Sequence, residues 1–145
     1  MAAYNGFNIF TKHLLEAAHS FATGVHAFKA FLTNTAPVAT NSLFGDISAN
    51  DLATANGYTA GGNALATSTA AVSGTTNKAS VTADVTITAT GAVGPFRYVV
   101  AYNTTPTTPL KPLVSWWDYG SSISLANTET FTEDYDQTNG WLQIG

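Results

Sequence analysis

Residues 79 to 90 read "ASVTADVTITAT", and this stretch constrains the fold more than any other. Val81, Ala83, Val85, Ile87 and Ala89 alternate strictly with Thr82, Asp84, Thr86, Thr88 and Thr90. Successive side chains of a strand point to opposite faces, so the pattern demands a half-buried β-strand. Gly91 and Gly94-Pro95 end it. "FRYVVAYN" follows as a second strand, with Phe96, Tyr98, Val100 and Tyr102 expected on one face. After the loop "TTPTTPLKP", the segments "LVSWWDYG", "ISL", "TETFTEDY" and "WLQI" extend the series, with a turn at Gly120-Ser121-Ser122. Earlier, "VHAFKAFLTN" reads as a strand in which Phe28, Ala30 and Leu32 alternate with Lys29 and Phe31, so both of its faces are partly apolar.

The N-terminal part carries a different period. In residues 4 to 18, Phe7, Phe10, Leu14 and Ala18 fall three or four apart and predict one helix, with Gly24 free to close the following turn. Residues 34 to 65 form a long irregular region. Ser48 and Asp51 have capping-box spacing and predict a helical turn near 51 to 55, and Asn56-Gly57 and Gly61-Gly62 mark turns. One helix followed by about seven strands with regular turn signals predicts a mainly β protein. The expected architecture is an antiparallel β-sandwich or jelly-roll-like barrel with one N-terminal α-helix. It forms a single domain over residues 1–145, with the helix at about 4–18 and strands over about 25–145.

Composition narrows the function classes. Only 10% of residues are charged, and Thr, Ser, Asn and Gly supply the polarity. The net charge is −4 and the basic residues Lys12, Lys29, Lys78, Arg97 and Lys111 are scattered, which argues against a nucleic-acid partner. No run reaches the length of a membrane span, and the first residues lack the charged start and apolar core of a secretory signal. The expectation is a soluble protein with no membrane partner and no secretory route of its own. The absence of cysteine excludes disulfides, thiolate nucleophiles and Cys-based zinc sites.

Chemical motifs are sparse. His13, His19 and His26 match no metal spacing and read as surface or helix-end residues. "GYTAGG" at 57 to 62 is glycine-rich but lacks the phosphate-loop pattern, so it reads as a turn. "EDYDQTNG" at 133 to 140 places Asp134 and Asp136 near Asn139-Gly140, but its glycine is one step late for an EF-hand and a polar hairpin turn is the plainer account. Asp118, Glu129, Glu133 and Asp136 could supply a glycosidase-type carboxylate pair, as in any acidic β-protein. Neither a catalytic residue nor a cofactor or metal site is assigned.

Trp116 and Trp117 are adjacent on a strand and must face opposite sides, so they cannot form one flat platform. One is expected to anchor the core and the other an interface, with sugar recognition by the outward ring as an alternative. Tyr119, Phe28 and Phe31 join them as interface candidates. Strands that are apolar on both faces exceed what a two-layer monomer can cover, which predicts a homo-oligomer, a dimer or trimer.

Taken in order, "HAFKAFLTNTAPVATN", "NGYTAGGNAL", "ADVTITATGAVGPFRYVVAYN" and "PLVSWWDYGSSISLANTETFTEDYDQTNGWLQI" resemble a widespread family of small tailed-bacteriophage virion proteins. One departure is Asn127-Thr128-Glu129, where a glycine is expected before the glutamate. The resemblance implies a structural protein of a virion, first a capsid cement or decoration protein bound to the major capsid protein or other virion proteins. A tail, neck or adhesion component is the runner-up, and a small polysaccharide-degrading enzyme a distant third.

Overall fold

A computed structural model describes residues 2–66, 71–73, 76–137 and 140–144. The chain is mainly β, with 45% strand and 9% helix. In chain order the elements are β1 (Ala3–Gly6), α1 (Phe10–Leu15), β2 (Phe28–Thr33), β3 (Asn63–Leu65), β4 (Ala71–Ser73), β5 (Thr76–Ala79), β6 (Val85–Thr88), β7 (Val93–Asn103), β8 (Leu113–Leu125), β9 (Thr130–Glu133) and β10 (Leu142–Ile144). They form a five-stranded sheet in the order β1-β8-β7-β2-β3, a three-stranded sheet β10-β5-β4 and a two-stranded sheet β6-β9. Every pairing is antiparallel, and the sheets do not close into a barrel.

The helix expected over residues 4–18 is confined to Phe10–Leu15. Residues 3 to 6 instead pair with β8, Tyr4 opposite Trp117. Asn5 and Gly6 are poor helix residues, and a ladder with a long strand satisfies their backbone better. Ala17 adopts a positive φ of 57° and stops the helix, and the Ala18 N–H bonds back to the His13 carbonyl at 2.8 Å. The expected helical face is split as well. Phe10 and Leu14 pack on one side of the large sheet and Phe7 on the other.

That sheet is covered on both faces by its own chain. On one face Phe28, Ala30, Leu32, Val99, Ala101 and Val114 pack with Ile87 of β6, Phe131 of β9 and Leu142 of β10. On the opposite face Phe31, Val100, Tyr102 and Leu113 pack with Phe7 and Ile47, and Phe44 lies against them. The second cover comes from the N-terminal segment and from two short 3₁₀ turns, Phe44–Asp46 and Ser48–Asn50, in the long irregular region. The two-faced apolar strands that suggested an oligomer are therefore satisfied within one chain. A third layer, made of loops rather than strands, does what a partner subunit was expected to do.

Two local expectations shift for physical reasons. Phe96 joins the first cluster, whereas Tyr98, Val100 and Tyr102 join the second. The register breaks between these two residues, where β7 runs from Phe96 to Tyr98 while β8 runs from Ile123 to Asp118, so the ladder is not continuous across the change of face. The helical turn expected at 51 to 55 does not form. The Asp51 carboxylate accepts the Tyr58 hydroxyl at 2.6 Å and the Gly61 N–H, and the Tyr58 hydroxyl accepts the Leu32 N–H at 2.9 Å. Gly62 must be glycine here, because a Cβ would lie 1.8 Å from the Ala30 carbonyl oxygen and φ is +78°.

The alternation at 81 to 89 holds in burial. Val81, Ile87 and Ala89 are buried, Val85 is half-buried, and Thr82, Asp84, Thr86, Thr88 and Thr90 are exposed. Ala83 is exposed because residues 82 and 83 bend, and regular strand begins at Val85.

Candidate functional site

The interface candidates separate once placed in the fold. Phe28 and Phe31 lie fully inside the chain, one in each cluster, so neither offers a surface to a partner. This corrects their candidacy, and the cause is the double cover of β2. Trp117 anchors the first cluster. Trp116 points to the other face, half-buried, with its ring 4.6 Å from that of Phe7. Tyr119 is half-buried at the margin of the first cluster, 5.2 Å from Phe131, and burial pushes its hydroxyl up to about 12.

Trp117 is also the floor of a cleft of about 340 Å³. Its lining comes from four parts of the chain. β1 supplies Tyr4, β8 supplies Trp117, the segment after β9 supplies Asp134, Tyr135 and Asp136, and the final stretch supplies Gly140, Trp141 and Gln143. Tyr4 is in place because β1 pairs in register with β8, and its ring meets Trp117 at 5.9 Å and 70°. Tyr135 meets Trp117 from another side at 5.3 Å and 76°, and Trp141 lies 6.0 Å from Trp117. Tyr4 remains 46% exposed, whereas Trp117, Tyr135 and Trp141 are buried apart from the parts that line the cleft.

The wall carrying Tyr135 is fastened twice. The Asp84 carboxylate accepts the Tyr135 N–H at 3.0 Å and the Gln137 side-chain amide at 3.2 Å. The Tyr135 hydroxyl donates to Glu133 Oε2 at 2.7 Å. Glu133 is only 1% exposed, and among the described residues its Oε1 has no hydrogen-bond partner. Burial raises its pKa from 4.5 to about 7, and the Tyr135 hydrogen bond only partly opposes the rise. Burial, together with the Glu133 charge, raises the Tyr135 hydroxyl well above its ordinary range.

The buried glutamate was legible in principle. In "TETFTEDY" the outward residues are Thr130, Thr132 and Asp134, so Glu133 must point inward with Phe131 and Tyr135.

Of the other carboxylates named from the sequence, Asp134 and Asp136 line this cleft, whereas Asp118 and Glu129 do not. Asp118 is held by Arg97 through two contacts of 2.7 and 2.9 Å and accepts the Gly120 N–H at 2.7 Å. The Arg97 guanidinium keeps the Asp118 carboxyl below its usual range. Glu129 closes a turn by accepting the Ala126 N–H at 2.7 Å. Asn139 of the calcium reading lies outside the described residues. Among the described residues no three acidic or histidine side chains form a metal-ligand set.

Of the three histidines expected at the surface or a helix end, His13 lies in the last turn of α1 and His26 is half-buried. His13 and His19 are buried, with ring centroids 6.0 Å apart. The Asn103 side-chain amide, oriented by the Thr105 N–H on its oxygen, meets His26 Nδ1 at 2.9 Å and His19 Nδ1 at 3.2 Å. An amide NH₂ only donates, so both imidazoles accept there. Burial, aided by His13 and His26, pushes His19 down to about 4. The spacing of these histidines carries no motif, and a strand more than 70 residues away brings them together. "GYTAGG" is the turn expected, and its Tyr58 is a buried latch between Asp51 and β2.

Comparison with family models, with curated proteins and with solved structures gives no match in any of the three.

Proposed function

We propose that the chain is a structural protein of a tailed-phage virion, a capsid cement or decoration protein that braces the major capsid lattice. The sequence resemblance motivates this reading, and one structural observation carries it further. The β6-β9 ribbon presents Thr86, Thr88, Thr130 and Thr132 outward, with Thr86 opposite Thr132 and Thr88 opposite Thr130. Among the described residues neither strand pairs with a third. An uncharged threonine surface suits short-range packing and hydrogen bonding against another protein, without long-range repulsion between copies. On this reading the sheets stack as a β-sandwich and the protein acts as a dimer or trimer. The oligomer now rests on that threonine face, since the apolar strand faces are already covered.

A brace works by mass action, binding the assembled lattice better than free subunits and so stabilising it. The test is to quantify the protein in separated heads and tails and to add purified protein to expanded capsids. The cement reading requires abundance approaching that of the major capsid protein and a rise in capsid thermal tolerance. Recovery only in tails would reject it in favour of the tail, neck or adhesion alternative.

A further inference from the structure

We propose that the cleft between Tyr4, Trp117, Tyr135 and Trp141 binds a neutral saccharide. The cleft volume of about 340 Å³ sits at the low end of small-ligand sites, the size of a mono- or disaccharide unit rather than a whole chain. Its walls combine the two chemistries a sugar presents. Aromatic rings offer apolar faces to the C–H side of a pyranose, and Tyr4 is the most open of them. Asp134 is an acceptor for hydroxyl groups, and the Gln143 amide can both donate and accept.

Charge narrows the class. The lining residues carry two carboxylates and no cation, so an acidic sugar would meet repulsion. An organic ammonium ion would satisfy the charge equally well, but the ring arrangement disfavours it. Trp117, Tyr135 and Trp141 contact one another directly, with centroids 5.3 to 6.5 Å apart. They therefore do not surround a void of the kind that encloses a quaternary ammonium group. The open volume is bordered by Tyr4, whose exposed ring can lie against one face of a sugar. The site is also largely preformed. Asp84 and Glu133 fix the backbone and the ring of Tyr135, so little ordering would be needed on binding.

The experiment titrates the purified full chain with neutral trisaccharides of glucose, mannose, galactose and N-acetylglucosamine, with sialyllactose and with choline. Binding is read by tryptophan emission and by calorimetry. At least one neutral trisaccharide should bind saturably, sialyllactose should not, and choline should not compete. Tyr4→Ala and Gln143→Ala should each weaken that binding by about tenfold, while thermal melting keeps the wild-type value. Gln143 is exposed, so its variant keeps the test sound if Tyr4→Ala perturbs β1. The proposal is overturned if no neutral sugar binds, if choline or sialyllactose is the only ligand, or if binding survives both substitutions. None of these outcomes depends on where the chain sits on a particle.

Discussion

Glu133→Gln should remove the fall in stability that this carboxyl causes over the neutral range. In the folded chain this carboxyl titrates at about 7, against 4.5 when free of the fold. Between those values the native state holds more protons than the unfolded state, so stability is highest at acid pH and falls as pH rises through 7. The rise from 4.5 to about 7, at about 1.4 kcal/mol per pH unit, makes the ionised form about 3 kcal/mol less stable than the neutral one. Glutamine cannot ionise, so the variant lacks this loss. It does leave an amide at the position of Oε1, which has no partner among the described residues, at a cost of about 1 kcal/mol. The variant should thus be less stable than wild type by about 1 kcal/mol at pH 4.5 and more stable by about 2 kcal/mol at pH 9. In a chain of this size the alkaline gain corresponds to a melting temperature higher by about 6 °C. Urea denaturation followed by tryptophan emission, at half-unit steps from pH 4.5 to 9, would trace the two curves. Crossing curves are the expected result. Parallel curves would refute the argument, because they would mean that the carboxyl titrates alike in both states.

Other perturbations test separate parts of the structure. His19 is the mirror case: with its native pKa near 4, it binds more protons when unfolded, so its contribution falls as pH drops from 6.5 towards 4. His19→Gln should flatten the acid limb of the denaturation profile, and an unchanged limb would reject the buried neutral imidazole. Ile87→Asp should destabilise by about 3 kcal/mol or more, whereas Thr86→Asp next to it should stay within about 0.5 kcal/mol. Equal melting losses for the two would sink the facing assigned to β6. Thr128 holds a φ of 73°, where a β-branched residue is strained, so Thr128→Gly should raise stability by about 1 kcal/mol in the same urea assay. A loss on that substitution would show that the threonine is not strained.

What the sequence discloses here depends on how local the cause is. The alternation through Ile87, the opposite facing of Trp116 and Trp117, and the strand around Phe28 are written in neighbouring residues and survive in the structure. The glycine expected before Glu129 is local too, and the chain places Thr128 there in the conformation a glycine would take. β1 is not local. Its four residues form a strand only because β8 is beside them, and their own spacing suggested a helix instead. The face of Phe96 was missed because a register shift leaves no trace in apolar spacing. The loop cover over Phe31 and Tyr102 was missed because loops have no period to read. The cleft combines these failures, since two of its walls, Tyr4 and Tyr135, owe their positions to partners distant in sequence.

The pairing pattern also bears on how the chain reaches this state. β2 can pair with β3 once Leu65 has been made, but its other edge is filled only when Phe28 meets Asn103, and β1 pairs only when Tyr4 meets Trp117. As a ribosome extends the chain, the first half can cover Phe31 with Phe7, Phe44 and Ile47, but Phe28 and Leu32 wait for Ile87, Phe131 and Leu142. Closing such long loops slows folding and exposes sticky intermediates. The first cluster should therefore close only after Phe131 and Leu142 have been synthesised, and the chain should be most prone to aggregate before that point. The cleft forms last in this sense, because Tyr4 and Trp141 come from opposite ends of the chain.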